Sequence, residues 1–331
     1  MGTAGKLSRI LNGFLTPVAH SDLPFKAAPG QLTAAEIRQG LALAGEIEQQ
    51  DYYLFGKPIS QSRSPILHNG LFEQVGLPHH YQRLETDSVA DVKDVLQKPN
   101  FGGASVTIPL KLDVMACVDE LTVAAKTIGA VNTIIPVEEE GKRRLVGDNT
   151  DWKGMVYVLQ QNGLAQDVAD SSALVIGSGG TTRAAIFALH SLGFKSIFVA
   201  GRNQENVRSL IAEFPVNFGL QALSGAPADL GLERSPRVII STIPGDKPMD
   251  PSMQEVLTKV FAMPLSENVN HILLEMAYKP SVTPVMQMAE RVGKWTTIPG
   301  LEVLVSQGWY QFQIWTGITP LYNKARDLVM G

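Results

Sequence analysis

The sequence predicts an α/β protein made of two units, each with its own sheet, and three observations lead to this prediction. The chain has 331 residues, of which 44% are hydrophobic and 18% charged, enough for two domains of roughly 100–200 residues each. From residue 51 onwards, short apolar runs alternate with amphipathic segments, which is typical of strands and helices in alternation. Residues 173–176 (ALVI) are apolar throughout, as expected of a strand buried on both faces of a parallel sheet.

Charge and cysteine content exclude several classes of protein. There are 28 Lys and Arg against 32 Asp and Glu, and the densest basic run is only residues 142–144, so no surface for the phosphate backbone of nucleic acid is expected. The single Cys117 can form neither an internal disulfide nor a thiolate cluster. No stretch approaches the roughly 18 apolar residues of a membrane span. We therefore expect a cytoplasmic protein without a bound metal and without a direct nucleic-acid or membrane partner.

Residues 1–50 are predicted to form a leader followed by one helix. Residues 23–30 show no hydrophobic period, whereas residues 34–48 alternate apolar and charged side chains at helical spacing. Thr33 stands where the N-cap of that helix is expected.

Residues 51–160 are predicted to form the first α/β unit, with about five strands. Strands are expected at 52–55, 80–84, 103–108, 130–136 and 144–146, and helices at 65–75, 90–96, 110–121 and 152–161. The last two strands flank the short polar loop 138–141, which favours a hairpin.

Residues 161–300 are predicted to form the second unit, with strands at 173–176, 196–200, 238–241 and 272–275 and a helix at 181–192. This alternation implies a doubly wound parallel sheet. A last helix, residues 301–315, places one apolar stripe on a single face, made of Leu301, Leu304, Val305, Phe312 and Trp315.

A glycine-rich turn follows the first strand of the second unit. It consists of Gly177, Ser178, Gly179, Gly180 and Thr181 and leads directly into the predicted helix. Glycines at this point permit a tight turn and let a pyrophosphate approach the backbone N–H groups of the helix N-terminus. The turn is therefore the predicted binding site of a dinucleotide.

The end of the next strand indicates which dinucleotide is bound. It reads Gly201-Arg202-Asn203 and has no carboxylate to hydrogen-bond the ribose 2′-hydroxyl of NAD. Arg202 could instead pair with a 2′-phosphate through two hydrogen bonds, which favours NADP, with Asn203 beside it. The alternative is that Arg202 is a solvated loop charge.

Three polar clusters interrupt the apolar pattern of the first unit at strand ends. They are residues 60–65 (SQSRSP), residues 105–111 (SVTIPLK), and Asn132-Thr133 with residues 147–151 (GDNTD). Singly, the serines could cap a helix and the lysine could be solvated. Together the clusters supply hydroxyls, amides, one Lys and one Asp, which suit a polyhydroxylated carboxylic acid that must gain or lose a proton.

These motifs resemble those of the shikimate dehydrogenase family. The resemblance rests on residues 55–65, 105–111, 129–133, 148–151 and 177–180, in family order and spacing, and it extends from Tyr53 to Tyr322. The sequences of residues 102–111 and 299–310 look most like those of the C-terminal domain of the fungal pentafunctional AROM polypeptide. Residues 24–31 look like the tail of the type I dehydroquinase that precedes this domain there. The resemblance thus implies a domain of a larger multidomain polypeptide.

The resemblance implies NADPH-dependent reduction of 3-dehydroshikimate to shikimate. It also implies an N-terminal α/β substrate domain, a Rossmann-like NADP domain and a cleft between them, with residues 301–331 returning to the first domain. Lys111 and Asp151 match the catalytic pair. The matching substrate-binding residues are Ser62 and Ser64 for the carboxylate, Thr107, Asn132 and Gln307 for the ring hydroxyls, and Tyr278 near the carboxylate. The family often has Asn-Arg-Thr where this chain has Gly201-Arg202-Asn203, so one hydroxyl contact to the 2′-phosphate is absent here.

Two alternatives remain open at this point. Fungal quinate-pathway repressors resemble the last AROM domains, and such a domain would sense a pathway metabolite without converting it. The presence of both Lys111 and Asp151 favours an enzyme over a sensor. The second alternative is a related dehydrogenase that acts on quinate. The sequence alone hardly distinguishes a quinate dehydrogenase from a shikimate dehydrogenase.

Overall fold

The structure is a computed structural model, and it describes residues 6–11, 18–20, 23–26, 29–164, 167–223, 232 and 234–331. Part of the predicted leader, including Ala27 and Ala28 of the run that resembles a dehydroquinase tail, lies outside the described residues. No helix within these ranges is long and apolar enough to cross a membrane.

The N-terminal segment forms helix α1 (Lys6–Ile10), the parallel strand pair β1 (Val18–Ala19) and β2 (Leu32–Thr33), and helix α2 (Ala34–Leu43). Thr33 caps α2 as predicted, because its hydroxyl accepts from Glu36 N at 3.1 Å while the Glu36 carboxylate accepts from Thr33 N at 2.6 Å. The helix ends earlier than the predicted residue 48. Gly45, at φ +81°, adopts a left-handed conformation that stops it.

The first α/β unit contains a six-stranded mixed sheet. Its elements are β3 (Asp51–Gly56), α3 (Ser64–Val75), β4 (His80–Glu85), α4 (Val89–Leu96), β5 (Phe101–Val106), β6 (Glu120–Leu121), α5 (Val123–Ile128), β7 (Thr133–Glu139), β8 (Lys142–Asp148) and α6 (Asp151–Gln161). The strand order is β4-β3-β5-β7-β8-β6, and β7 and β8 form the predicted hairpin.

The single helix predicted over residues 110–121 is wrong. The chain there forms a turn, a 3₁₀ helix (Asp113–Cys117) and the short strand β6, which pairs with β8 and adds the sixth strand. The α-helix begins only after Thr122, whose hydroxyl accepts from Ala125 N at 3.2 Å. The spacing of apolar residues alone cannot distinguish these elements from one helix. Residues 114, 118 and 121 pack on the same core whether the chain forms a helix or a 3₁₀ helix followed by a strand.

The second unit is a six-stranded sheet in which every pairing is parallel. Its elements are β9 (Ser172–Ile176), α7 (Gly180–Ser191), β10 (Ser196–Ala200), α8 (Gln204–Ala212), β11 (Leu220–Ala222), β12 (Val238–Ser241), α9 (Pro251–Ala262), β13 (His271–Glu275), α10 (Pro284–Val292) and β14 (Trp295–Ile298). The order β11-β10-β9-β12-β13-β14 is doubly wound, with the switch point between β9 and β12. This confirms the predicted fold class, although β11 and β14 were not predicted.

The last two helices, α11 (Gly300–Thr316) and α12 (Tyr322–Met330), pack against the first sheet and α3. Val305 and Phe312 are fully buried there beside Tyr52 and Leu54 of β3. The remaining members of the predicted stripe, Leu301, Leu304 and Trp315, pack against the same cluster. The C-terminal end of the chain thereby completes the core of the first unit.

Truncating Phe312 tests this packing. Phe312→Ala removes a fully buried ring and should lower the free energy of unfolding by about 3–5 kcal/mol, measured by urea denaturation. Val216→Ala is the control, because Val216 is 98% exposed and its truncation should change stability by less than about 0.5 kcal/mol. Equal effects of the two substitutions would contradict the packing of α11 on the first sheet.

Candidate active site

A cleft of about 420 Å³ lies between the two sheets. Its walls come from segments that follow the carboxyl ends of β3, β5, β9, β12 and β13, together with α11. The carboxyl end of a parallel sheet is where α/β proteins bind ligands, because loops there can vary without disturbing the strands. The cleft therefore joins the polar clusters of the first unit to the glycine turn of the second.

Lys111 and Asp151 form an ion pair in the wall of this cleft. Lys111 Nζ lies 2.5 Å from Asp151 Oδ2, and the two side chains are only 11% and 10% exposed. The turn after β5 is anchored because Val131 N donates to the Lys111 carbonyl oxygen at 2.7 Å. Asp151 is the first residue of α6, where the helix dipole favours a negative charge. The pair can therefore hold a proton at one defined point of the cleft.

Asn132 holds the other oxygen of the same carboxylate. Its Nδ2 donates to Asp151 Oδ1 at 2.8 Å and approaches Gln307 Oε1 at 3.2 Å. Its Oδ1 accepts from Thr150 N and from Thr133 Oγ1, each at 2.7 Å. Both oxygens of Asp151 are thus engaged, one by a cation and one by an amide, which keeps the carboxylate in one orientation.

Ser62 and Ser64 also line the cleft, and both are buried. The two hydroxyls are 3.2 Å apart, and Ser62 Oγ also accepts from the backbone N of Ser64, the first residue of α3, at 3.3 Å. Arg83 donates to the Ser62 carbonyl oxygen at 2.5 Å and so supports the serine loop from β4. Ser62 thus supports the first turn of α3, as the capping alternative expects, while both serines also line the cleft.

Thr107, Gln307 and Tyr278 also line the cleft. Tyr278 is half-buried, and burial raises the pKa of its hydroxyl, which remains a donor at neutral pH. The segment before it is fixed by Glu275, whose carboxylate accepts from Ala277 N at 3.0 Å and from the Thr283 hydroxyl at 2.7 Å.

The glycine turn forms the adjoining wall. Gly177 has φ +133°, and a Cβ there would lie 2.2 Å from Thr242 Oγ1, so only glycine fits. A Cβ on Gly180 would lie 3.6 Å from the Cβ of Lys111. Gly179, Gly180 and Thr181 line the cleft, whereas Gly177 and Ser178 are not among its lining residues. Thr182 Oγ1 accepts from Gly179 N at the N-cap of α7 at 3.0 Å, whereas no side chain of the described residues caps the N–H groups of the first turn itself, which remain for an anion.

Two predicted cofactor residues lie outside the cleft wall. Arg202 and Asn203 follow β10 and are exposed. The Asn203 side chain caps α8, accepting from Glu205 N at 2.9 Å and from Asn206 N at 3.1 Å, so its oxygen is already engaged. This local role accounts for Asn203 at that position, while the guanidinium of Arg202 is placed at the carboxyl end of the strand next to β9.

Sequence reasoning missed several residues of the site. Gln311 lines the cleft one helical turn after Gln307, on the same face of α11, and this spacing is a signal that could have found it. Thr242, Met276 and Ala277 also line the cleft, but nothing in their residue types distinguishes them from loop residues. No group of three His, Cys, Asp or Glu in the described ranges is placed to hold a metal ion.

Three family models match successive parts of the chain. The shikimate dehydrogenase substrate binding domain matches residues 54–134, the shikimate / quinate 5-dehydrogenase model matches residues 159–249, and the shikimate 5′-dehydrogenase C-terminal domain matches residues 300–330. The chain belongs to the shikimate dehydrogenase family. A fourth model, type I 3-dehydroquinase, matches residues 1–48, which precede β3.

Solved structures of shikimate dehydrogenases are similar along most of the chain. The dehydroquinate dehydratase and shikimate dehydrogenase of S. pombe AroM is 42% identical with a TM-score of 0.81, covering 100% of this chain and 62% of that one. The Aquifex aeolicus enzyme is 29% identical (TM-score 0.71; 86% and 98% covered). The Thermus thermophilus enzyme, in complex with NADP(H) and shikimate, is 28% identical (TM-score 0.67; 85% and 98% covered). This chain thus spans less than two thirds of the S. pombe protein but almost the full length of the bacterial ones.

Removing the carboxylate of the ion pair tests its energetic role. Asp151→Ala leaves the Lys111 ammonium buried without a partner and should lower the free energy of unfolding at pH 7 by about 3 kcal/mol or more, measured by urea denaturation. Glu255→Ala is the matched control, since Glu255 pairs with Lys259 at 2.6 Å on the surface of α9 and an exposed pair contributes at most about 1 kcal/mol. An Asp151→Ala protein as stable as the control would refute a desolvated ion pair.

Proposed function

We propose that this protein catalyses the reversible, NADP-dependent reduction of 3-dehydroshikimate to shikimate. The observation that supports this most directly is the Lys111–Asp151 ion pair, which lies in one cleft between paired serine hydroxyls and a glycine turn. The relative from Thermus thermophilus was solved with NADP(H) and shikimate. In the cleft of this chain, the glycine turn suits a dinucleotide, and the hydroxyl and amide groups of the first unit suit shikimate.

The substrate would be oriented by hydroxyl and amide groups on the first-unit side. Ser62 and Ser64 would donate to its carboxylate, with the Tyr278 hydroxyl nearby. Thr107, Asn132 and Gln307 would hydrogen-bond the ring oxygens. These groups can all act as donors, and their fixed positions would place one ring oxygen next to Lys111 Nζ.

Lys111 would move the proton. In the reducing direction its ammonium donates a proton to the oxygen that becomes the C3 hydroxyl, and in the reverse direction the neutral amine accepts it. Asp151 keeps the ammonium oriented through the 2.5 Å contact, and Asn132 keeps Asp151 oriented. Bound NADPH supplies the hydride for the ring carbonyl carbon.

The residues of the second unit fit a dinucleotide phosphate. The uncapped first turn of α7 offers backbone N–H groups to a pyrophosphate, and a Cβ on Gly179 would meet nothing within 4 Å, so space is open there. Arg202 is the exposed cation at the end of β10 and would pair with the ribose 2′-phosphate. This favours NADP over NAD.

Quinate is the second candidate substrate, because one matching family model covers shikimate and quinate dehydrogenases alike. A metabolite sensor is less well supported. A sensor only binds its ligand and transfers no proton, so it does not need the contact between Lys111 and Asp151. We also propose that the activity belongs to a larger polypeptide of the AROM type, because residues 1–48 match a type I 3-dehydroquinase.

The proposed reaction is tested by following absorbance of the reduced cofactor with shikimate or quinate and with NADP or NAD, in all four pairings. Rapid reduction of NADP with shikimate is the expected result. Faster turnover of quinate would reassign the substrate. No reduction in any pairing, with shikimate still raising the melting temperature, would replace the enzyme by a sensor.

Lys111→Ala removes the group that transfers the proton. We expect kcat to fall by at least about 100-fold while the dissociation constant of shikimate changes much less, measured by steady-state kinetics and calorimetry. Lys153→Ala serves as control, because Lys153 only approaches Asp148 at 3.9 Å. Turnover of Lys111→Ala close to that of the control would remove Lys111 from the mechanism.

Arg202→Ala removes the proposed partner of the 2′-phosphate. The KM for NADP should rise by about 10-fold or more while that for NAD stays nearly constant, because one charge-assisted hydrogen-bonded pair is lost for NADP alone. Arg291→Ala, at an exposed cation on α10, should affect neither cofactor. Equal effects of Arg202→Ala on both cofactors would refute the assignment.

A further inference from the structure

The serine loop, residues 57–64, connects the carboxyl end of β3 to the first residue of α3. Four of its residues line the cleft, namely Pro58, Ile59, Ser62 and Ser64. The neighbour of β3 on this side is β4, the edge strand of the first sheet. The position of the two serine hydroxyls in the cleft therefore depends on what holds the loop from β4.

Glu85, the last residue of β4, binds the first half of the serine loop. Its Oε2 accepts from Ile59 N at 3.0 Å and from Ser60 N at 3.1 Å. Gly56 is the register partner of Glu85, so the carboxylate stands beside the point where the chain leaves β3. Two successive backbone N–H groups thus meet on one oxygen, and hydrogen bonds to an ionised acceptor are stronger than those between neutral groups.

Arg83 binds the second half of the loop. It precedes Glu85 by two residues and lies on the same face of the strand, and its guanidinium donates to the Ser62 carbonyl oxygen at 2.5 Å. Ser62 N donates to the Ile59 carbonyl oxygen at 3.0 Å, so a turn connects the two halves. Arg83 and Glu85 are exposed, and neither is among the lining residues of the cleft. They therefore act on the cleft through the loop.

We propose that Arg83 and Glu85 are positioning residues that clamp the serine loop and thereby set the affinity of the cleft for a carboxylate ligand. The proposal rests on the proposed function, in which Ser62 and Ser64 bind the carboxylate of shikimate. A loop that is ordered before binding costs no affinity for its ordering when the ligand arrives. The ion pair that moves the proton is carried by other segments, so the clamp should affect binding more than the chemical step.

The opposite charges of the two side chains distinguish a clamp from a simple electrostatic effect. A nearby cation attracts an anionic ligand, and a nearby anion repels it. On electrostatic grounds alone, removing the carboxylate of Glu85 would tighten the binding of shikimate. A clamp predicts the reverse, namely that loss of Glu85 weakens binding just as loss of Arg83 does.

The test compares Glu85→Ala, Glu85→Gln and Arg83→Ala with wild type in steady-state kinetics and calorimetry. Glu85→Ala and Arg83→Ala should each raise the KM and the Kd of shikimate by about 5- to 20-fold. The kcat and the Kd of NADP should stay within about twofold, the pattern expected when binding common to the ground and transition states is lost. Glu85→Gln should stay within about threefold of wild type in all four quantities, because one amide oxygen can accept both N–H groups that meet on Oε2.

The controls are Arg144→Ala and Glu139→Ala. These two residues form an ion pair at 2.8 Å across the β7–β8 hairpin, so each control removes one charge of the same sign as a test variant. Both should leave the KM and the Kd of shikimate within about twofold of wild type. Tighter binding of shikimate by Glu85→Ala would overturn the proposal. So would a Glu85→Gln protein as impaired as Glu85→Ala, or losses confined to kcat.

Hydrogen exchange of residues 57–64 without ligand tests the clamp apart from the proposed function. The N–H groups of Ile59 and Ser60 lose their acceptor in Glu85→Ala and keep one in Glu85→Gln, so exchange should be faster than wild type only in the former. Unchanged exchange in Glu85→Ala would overturn the proposal. If the wild type neither turned over nor bound shikimate, the proposed function would fail by itself, and these exchange rates would still decide whether the loop is clamped.

Discussion

The contact between Lys111 Nζ and Asp151 Oδ2 is the interaction on which the organisation of the cleft depends. Removing two charges from water costs several kcal/mol per ion unless hydrogen bonds compensate, and both side chains are nearly buried. The compensation comes from the amide of Asn132, which donates to Asp151 Oδ1 at 2.8 Å. The backbone around the carboxylate is fixed by Asn149 Oδ1, which accepts from Asp151 N at 3.1 Å. Part of the first unit's polar wall therefore holds this pair in one orientation.

The two sheets come close together beside this pair. Gly180, at the start of α7, lies so near Lys111 that a Cβ would be in ordinary contact with the lysine side chain. Arg183, one turn further along, approaches the Ile128 carbonyl oxygen at 3.4 Å and pairs with Glu213 at 2.6 Å. The glycine turn thus serves two purposes, since it exposes N–H groups to an anion and lets the second unit approach the lysine.

Local chemistry made much of this structure predictable from the sequence. Residues 173–180 have both an apolar strand and a glycine turn, so β9 and α7 could be predicted within a residue or two. Residues 110–121 could not, because strand β6 exists only through its pairing with β8. Among the site residues, Lys111, Asp151, Ser62 and Ser64 lie in the polar clusters at strand ends that the sequence itself shows. Gln311 was missed because its partners, Ser105 and Asn132, are distant in the chain and only the fold brings them together.

The packing of α11 and α12 on the first sheet has a consequence for the order in which the chain can fold during synthesis. The second sheet, whose last strand ends at Ile298, has all its strands before the final two helices are made. The first unit, although it begins earlier, lacks Val305, Phe312 and Val329 in its core until those residues have been synthesised. Domains fold as units when their residues become available. The second sheet can therefore form on the ribosome before the first unit does, although the first unit comes earlier in the chain. The core of the first unit is completed only when α11 and α12 have emerged.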